Sequence, residues 1–284
     1  MIPKDTPIAV VAPCGAYDPE RLEAGMEILR ARGHAPQLLP GAEARWRYLA
    51  GDDDHRTAQL TEALTNDAYG AVWMARGGSG LGRILHRLPL AGIAPKPVVG
   101  FSDITSLMTA LDRVGGWPMI HGPVVHSLSV TDDGSLDHLF DLLAGRPVQP
   151  LQGVTGVVGQ STGGLVGGNV AVLASGCGTP WQLDARGRIL VLEEIGEPAY
   201  RLDRLVQQLR SAGVFDGVVG VALGQLHNCR VPEGADYTIV DVVMGHLAKL
   251  GVPVIFDLPV GHTPQNRAFP WGAQGTLSNG TLSW

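Results

Sequence analysis

The chain has 284 residues, of which 45% are hydrophobic and 17% charged. That length and apolar content allow one large or two ordinary globular domains and exclude a disordered chain. A formal net charge of -6, without a block of Lys or Arg, argues against nucleic acid or an anionic membrane as partner.

The first strand is read at Ile8–Ala12. Asp18 can then cap a helix with Pro19 at its first position, Leu22, Met26 and Leu29 falling on one face and Gly33 ending it. Gln37–Leu39 reads as the next strand, Asp52–His55 as a solvated acidic turn, and Arg56–Asn66 as the second helix. After the strand Ala71–Met74, Arg76-Gly-Gly-Ser-Gly-Leu-Gly82 leads into a further helix at Ile84-Leu85. Its spacing departs from the dinucleotide fingerprint, with Arg83 where the last glycine should stand. The glycines instead let backbone N–H groups approach a ligand closely, and no cofactor is expected. Pro97-Val-Val-Gly-Phe-Ser-Asp-Ile-Thr105 reads as strand, sharp turn and helix, which places Ser102 either as a nucleophile or as a helix N-cap. Ile104 stands where the hydrolase elbow has its second glycine. This alternation of strand and helix predicts a parallel sheet with helices on both faces.

The pattern loosens from Ser127 to Gln160, with a short helix at Leu136–Leu143. We expect an N-terminal domain at 1–126, a linker region at 127–160 and a C-terminal domain at 161–284. Beyond the linker come a glycine-rich turn region at Thr162–Asn169, the strand Ile189–Leu192 ending in Glu193-Glu194, and a helix carrying Leu202, Leu205 and Leu209. The strand Val218–Leu223, the helix Tyr237–Leu250 and the strand Val254–Phe256 follow. Asn279-Gly280 between two short alternating runs is a hairpin signal.

A serine hydroxyl needs a base, ordinarily a histidine oriented by a carboxylate. Two histidines sit in suitable loops, His262 in Leu258-Pro-Val-Gly-His-Thr-Pro-Gln265 and His121 before Gly122-Pro123, and the sequence does not choose between them. Glu193, Glu194 and Glu197 supply the carboxylates, and adjacent residues on a strand face opposite ways. The cysteines Cys14, Cys177 and Cys229 lie far apart and in no C-x-x-C pair, so neither a disulfide framework nor a metal site is expected. No leader-like pattern opens the chain and no apolar run reaches the ~20 residues of a membrane span, which places the protein in the cytoplasm.

Six motifs in register resemble the LD-carboxypeptidases: Arg76-Gly-Gly-x-Gly80, Gly100-Phe-Ser-Asp-Ile-Thr105, His121-Gly-Pro123, Gly167-Gly-Asn169, Leu192-Glu-Glu-x-x-Glu-Pro-x-Tyr200 with Arg204, and Gly261-His262 with Pro270-x-Gly272. The resemblance implies an α/β fold with a Rossmann-like, parallel-sheet N-terminal domain and a smaller β-rich C-terminal domain, the site lying in the cleft between them. It implies Ser102 as nucleophile, His262 as general base, Glu193 orienting the imidazole with Glu197 in reserve, and the N–H groups of Gly78 and Asp103 as oxyanion donors. It further implies a metal-free homodimer that acts on a small peptide with a C-terminal D-amino acid, releasing D-alanine from murein tetrapeptide. Cys14, Ser79 and Met108 depart from the usual family residues near the expected site, and the departures bear on substrate choice. Two other readings compete: a microcin-immunity-type amidase acting on peptide–nucleotide conjugates, with Trp181 as an aromatic cradle, and a non-catalytic two-domain ligand binder.

Overall fold

The computed structural model describes residues 2–284 and divides into two compact units, Met1–Val148 with Ala268–Pro270, and Gln149–Arg267 with Trp271–Trp284. The fold is mixed α/β. Its strands in chain order are β1 (Pro7–Val11), β2 (Ala35–Leu38), β3 (Ala71–Met74), β4 (Val98–Gly100), β5 (Met119–His121), β6 (Leu151–Gln152), β7 (Val154–Val157), β8 (Gln160–Asn169), β9 (Arg188–Ile195), β10 (Gly220–His227), β11 (Val254–Phe256), β12 (Phe269–Trp271), β13 (Gln274–Ser278) and β14 (Thr281–Ser283).

The first unit carries a six-stranded sheet in the order β12-β5-β4-β3-β1-β2, in which β1 to β5 pair in parallel with one another. β1, β3 and β4 are almost wholly buried, which is why they read as continuous apolar runs. The helix Pro19–Ala31 begins where expected: Asp18 accepts from the Glu20 and Arg21 N–H groups, and Pro19 needs no donor there. Gly25 permits its closest contact, since a Cβ there would lie 2.0 Å from the Val125 carbonyl oxygen. The acidic turn is itself helical. Asp52 caps the helix Asp53–Thr65, and His55, expected in a solvated loop, sits in its first turn with Nε2 at 2.9 Å from the Gly41 carbonyl. Carboxylates at a helix N-terminus are favoured there, and that competing role explains the misreading. After the glycine-rich turn, two short 3-10 turns at Leu81–Arg83 and Leu85–Arg87 replace the expected helix.

The second unit carries an eight-membered sheet in the order β6-β14-β13-β8-β9-β10-β11-β7. β8 to β11 are parallel, and β13, β14, β6 and β7 are antiparallel to their partners. The outermost members, β6 and β7, are separated only by Gly153, so one bent strand closes the sheet on itself. The hairpin β13–β14 turns at Asn279 and Gly280, both at positive φ, as its sequence predicts. Residues 162–169, expected as a turn region, are instead most of β8. Their glycines answer to proximity: a Cβ on Gly167 would meet the Val191 carbonyl oxygen at 1.9 Å, so only a glycine lets the strand pass β9 this closely.

Candidate active site

Ser102 follows β4 at the start of a short 3-10 turn that runs into the helix Thr105–Val114. Its φ of +65° is the left-handed conformation that a serine adopts only when the surroundings impose it. Gly100 and Ile104 supply part of that constraint. A Cβ on Gly100 would lie 2.9 Å from Ile104 Cγ2, so the fully buried Ile104 fills the room that a second elbow glycine would leave empty. Gly77 supplies more, because a Cβ there would sit 2.9 Å from Ser102 Cβ and 3.1 Å from its Oγ. Gly78, the neighbouring donor candidate, takes φ +102°.

Polar side chains pin these two loops. Asp103, buried beneath the turn, accepts at Oδ2 from the Leu81 N–H at 2.9 Å and shares a hydrogen bond with the Cys14 thiol. Burial pushes the Asp103 carboxyl up, against the opposing pull of Leu81, Cys14 and Arg56. Burial, with the charge of Asp103 second, likewise holds the Cys14 thiol well above its ordinary value, so Cys14 is a packed donor and not a reactive thiolate. Arg56, fully buried, donates to the carbonyls of Pro13 (2.6 Å), Gly80 (2.9 Å) and Gly51 (3.2 Å) and pairs with Asp53 at 2.5 Å. One guanidinium thereby joins three loops of the first unit. Its place in an ordinary helical pattern gives no sign of this.

In the second unit, Glu193 and His262 form a pair. His262 Nδ1 lies 2.7 Å from Glu193 Oε2, and the carboxylate is fully buried, with Oε1 lacking a hydrogen-bond partner. Burial works to lower the His262 pKa, but the charge and hydrogen bond of Glu193, aided by Glu194, outweigh it and leave the imidazole above its ordinary value. The loop is held by groups that sequence reasoning passed over. Asn266 Oδ1 accepts from the Gly261 N–H at 3.3 Å, and Thr263 donates to Gln225 Oε1 at 2.7 Å. Gly261, at φ +142°, would place a Cβ 3.4 Å from Glu193 Cβ. A buried asparagine beside a histidine loop is the kind of signal that could have marked Asn266.

Glu194 turns to other partners. It accepts from Asn169 Nδ2 (3.0 Å) and from the N–H groups of Ala171 and Ile195 (both 2.7 Å), and its pKa is raised, mainly by burial. Glu197 pairs with Arg201 at 3.1 Å. His121, the other loop histidine, is fully buried and stacked on Phe269 with ring centroids 4.7 Å apart. The structure therefore brings Glu193 to His262 and gives Glu194 hydrogen-bonding, Glu197 ionic and His121 stacking partners. Among the described residues, no cluster of His, Cys, Asp and Glu could hold a metal ion, and no helix is long and apolar enough to cross a membrane.

Comparison with known proteins covers both units. The family model for the LD-carboxypeptidase N-terminal domain matches residues 8–122, and that for the C-terminal domain matches residues 162–277. A murein tetrapeptide carboxypeptidase of Pseudomonas aeruginosa is 36% identical, over 99% of this chain and 96% of its own. The crystal structure of a muramoyltetrapeptide carboxypeptidase from Oxalobacter formigenes has a TM-score of 0.86 at 28% identity, covering 98% of this chain and 97% of its own. The microcin C7 self-immunity protein has a TM-score of 0.88 over 99% of this chain and 96% of its own, and at 19% identity it shares the fold.

Proposed function

The chain belongs to the LD-carboxypeptidase family, and on that premise we propose that it is a serine carboxypeptidase that hydrolyses an L,D-peptide bond and releases the terminal D-alanine of a murein tetrapeptide. The observation that carries the reading is Ser102 held at φ +65° between a parallel strand and a helix, against a glycine whose missing Cβ leaves room for its hydroxyl.

In this reading Ser102 Oγ attacks the scissile carbonyl and His262 takes its proton. Glu193 accepts from Nδ1–H, which leaves Nε2 as the basic nitrogen and stabilises the imidazolium once it forms. The backbone N–H groups of Gly78 and Asp103 stabilise the oxyanion, each such donor contributing on the order of 3 kcal/mol in serine hydrolases. Collapse of the tetrahedral intermediate breaks the C–N bond. His262 returns the proton to the departing D-alanine amine and then takes one from the water that hydrolyses the acyl-enzyme. We extend the proposal to a homodimer working in the cytoplasm, as the family resemblance implies; sedimentation and cell fractionation measure the two.

The test is D-alanine release from a tetrapeptide ending in diaminopimelyl-D-alanine, with Ser102→Ala beside the wild type. Release by the wild type alone is expected. Turnover by a folded Ser102→Ala protein would sink the assignment of the nucleophile.

A further inference from the structure

One side of the serine turn is built from backbone alone. Gly15 donates its N–H to the Gly77 carbonyl at 3.0 Å. A Cβ on Gly77 would lie 3.1 Å from Ser102 Oγ, while one on Gly15 would lie 3.2 Å from the Gly77 oxygen and 3.8 Å from the guanidinium carbon of Arg76. A Cβ on Gly78 would lie 3.5 Å from Gly15 Cα. The missing side chains leave the Ser102 hydroxyl and the Arg76 guanidinium bordering one glycine cradle.

Arg76 is half-buried, donates one N–H to the Ala16 carbonyl, and makes no ion pair among the described residues. A guanidinium has five donors in a fixed fork, and one bond leaves most of them for a ligand. Its positive field is felt nearby: His126 is pushed down to about 4, first by burial and then by Arg21 and Arg76. A half-buried cation without a counter-ion costs free energy that an arriving anion removes.

The substrate supplies such an anion at a matching place. In a peptide cut before its last residue, the terminal carboxylate carbon is three bonds from the attacked carbonyl carbon, roughly 3–4 Å away. The group that receives the carboxylate must therefore border the same space as the nucleophile. We infer that Arg76 receives the terminal carboxylate of the substrate as a two-pronged hydrogen-bonding partner and so restricts cleavage to the last residue of a chain. The inference rests on the carboxypeptidase reading above and names the group that makes the enzyme an exopeptidase. A peptide continuing past the scissile bond would bring a neutral amide to the guanidinium and leave its charge unmatched.

The experiment compares the tetrapeptide ending in free D-alanine with the same peptide ending in D-alanine amide. For the wild type, kcat/KM should favour the acid by about 10²-fold or more, as for sites built around a charge-assisted bond. In Arg76→Met that ratio should fall to within about threefold of unity, with Arg76→Lys between them because it keeps the charge and loses the fork. Arg76→Gln, which can keep a bond to the Ala16 carbonyl, serves if methionine costs the fold, as thermal unfolding will report. A folded Arg76→Met or Arg76→Gln with the wild-type ratio overturns the inference, as does a wild type that cleaves both peptides equally. A wild type that cleaves neither overturns the carboxypeptidase reading itself, and the two failures are thus distinct.

Discussion

The serine turn and the histidine loop are held in place by different physics. The first is made by the main chain: Ser102 is held at an unfavourable φ, Gly77 and Gly100 make room, and Arg56 and Asp103 bond to backbone groups of the neighbouring loops. The second is made by side chains, with a buried carboxylate aligning His262 and raising its pKa, and Asn266 and Gln225 bracing the loop. Stored strain and matched charge fail differently when they are removed. A substitution that relaxes the serine turn should cost activity without stability, whereas one that neutralises Glu193 should alter the dependence on pH.

The largest expected effect is at Ser102→Gly. Activity should fall by on the order of 10⁶-fold, as when a serine nucleophile is removed elsewhere. Glycine takes φ +65° without strain, so the thermal midpoint should be unchanged or higher. A midpoint lowered by several degrees would contradict the strained-turn account. Next comes Glu193→Gln, with kcat lower by about 10²–10⁴-fold from loss of the oriented, stabilised imidazolium. In its proposed role of base His262 must be neutral, so wild-type activity should be lost as pH falls through a value above the ordinary 6.5. With the Glu193 carboxylate gone, burial is opposed only by the weaker charge of Glu194 and pushes the pKa down, so the acidic limb of kcat/KM should move to lower pH. An unmoved limb would separate the pair from the chemistry. The smallest effect is expected at Gly77→Ala. Its new methyl would meet Ser102 Cβ at 2.9 Å, while φ at residue 77 does not require glycine. Folding should persist and kcat should fall by roughly 10–10²-fold through displacement of the proposed nucleophile. Full activity would show that the Ser102 side chain has room to give way.

Much of this architecture is local and therefore legible. Alternating strand and helix, the Asp18–Pro19 cap and the Asn279-Gly280 hairpin each follow from a few neighbouring residues. The turn after Gly100 was readable for the same reason. What eluded sequence reasoning depends on distant partners. The glycines of β8 look like loop residues until Val191 is set 1.9 Å from where a Cβ would stand. Arg56 looks like one more charged position on a helix, yet it is fully buried because three carbonyls from separate loops converge on it. The different settings of His121 and His262 also needed space: one ring is stacked on Phe269 and the other meets Glu193, contacts formed across 148 and 69 positions.

The bent strand through Gly153 has a consequence for association. A row of unpaired N–H and C=O groups is what lets one chain extend the sheet of another, and it is the usual starting point for strand-mediated aggregation. In the second unit both ends of the sheet are taken up by the two halves of that one strand, leaving no long free row. A second copy that pairs with this unit must do so through side-chain surfaces, and not by continuing the eight-membered sheet.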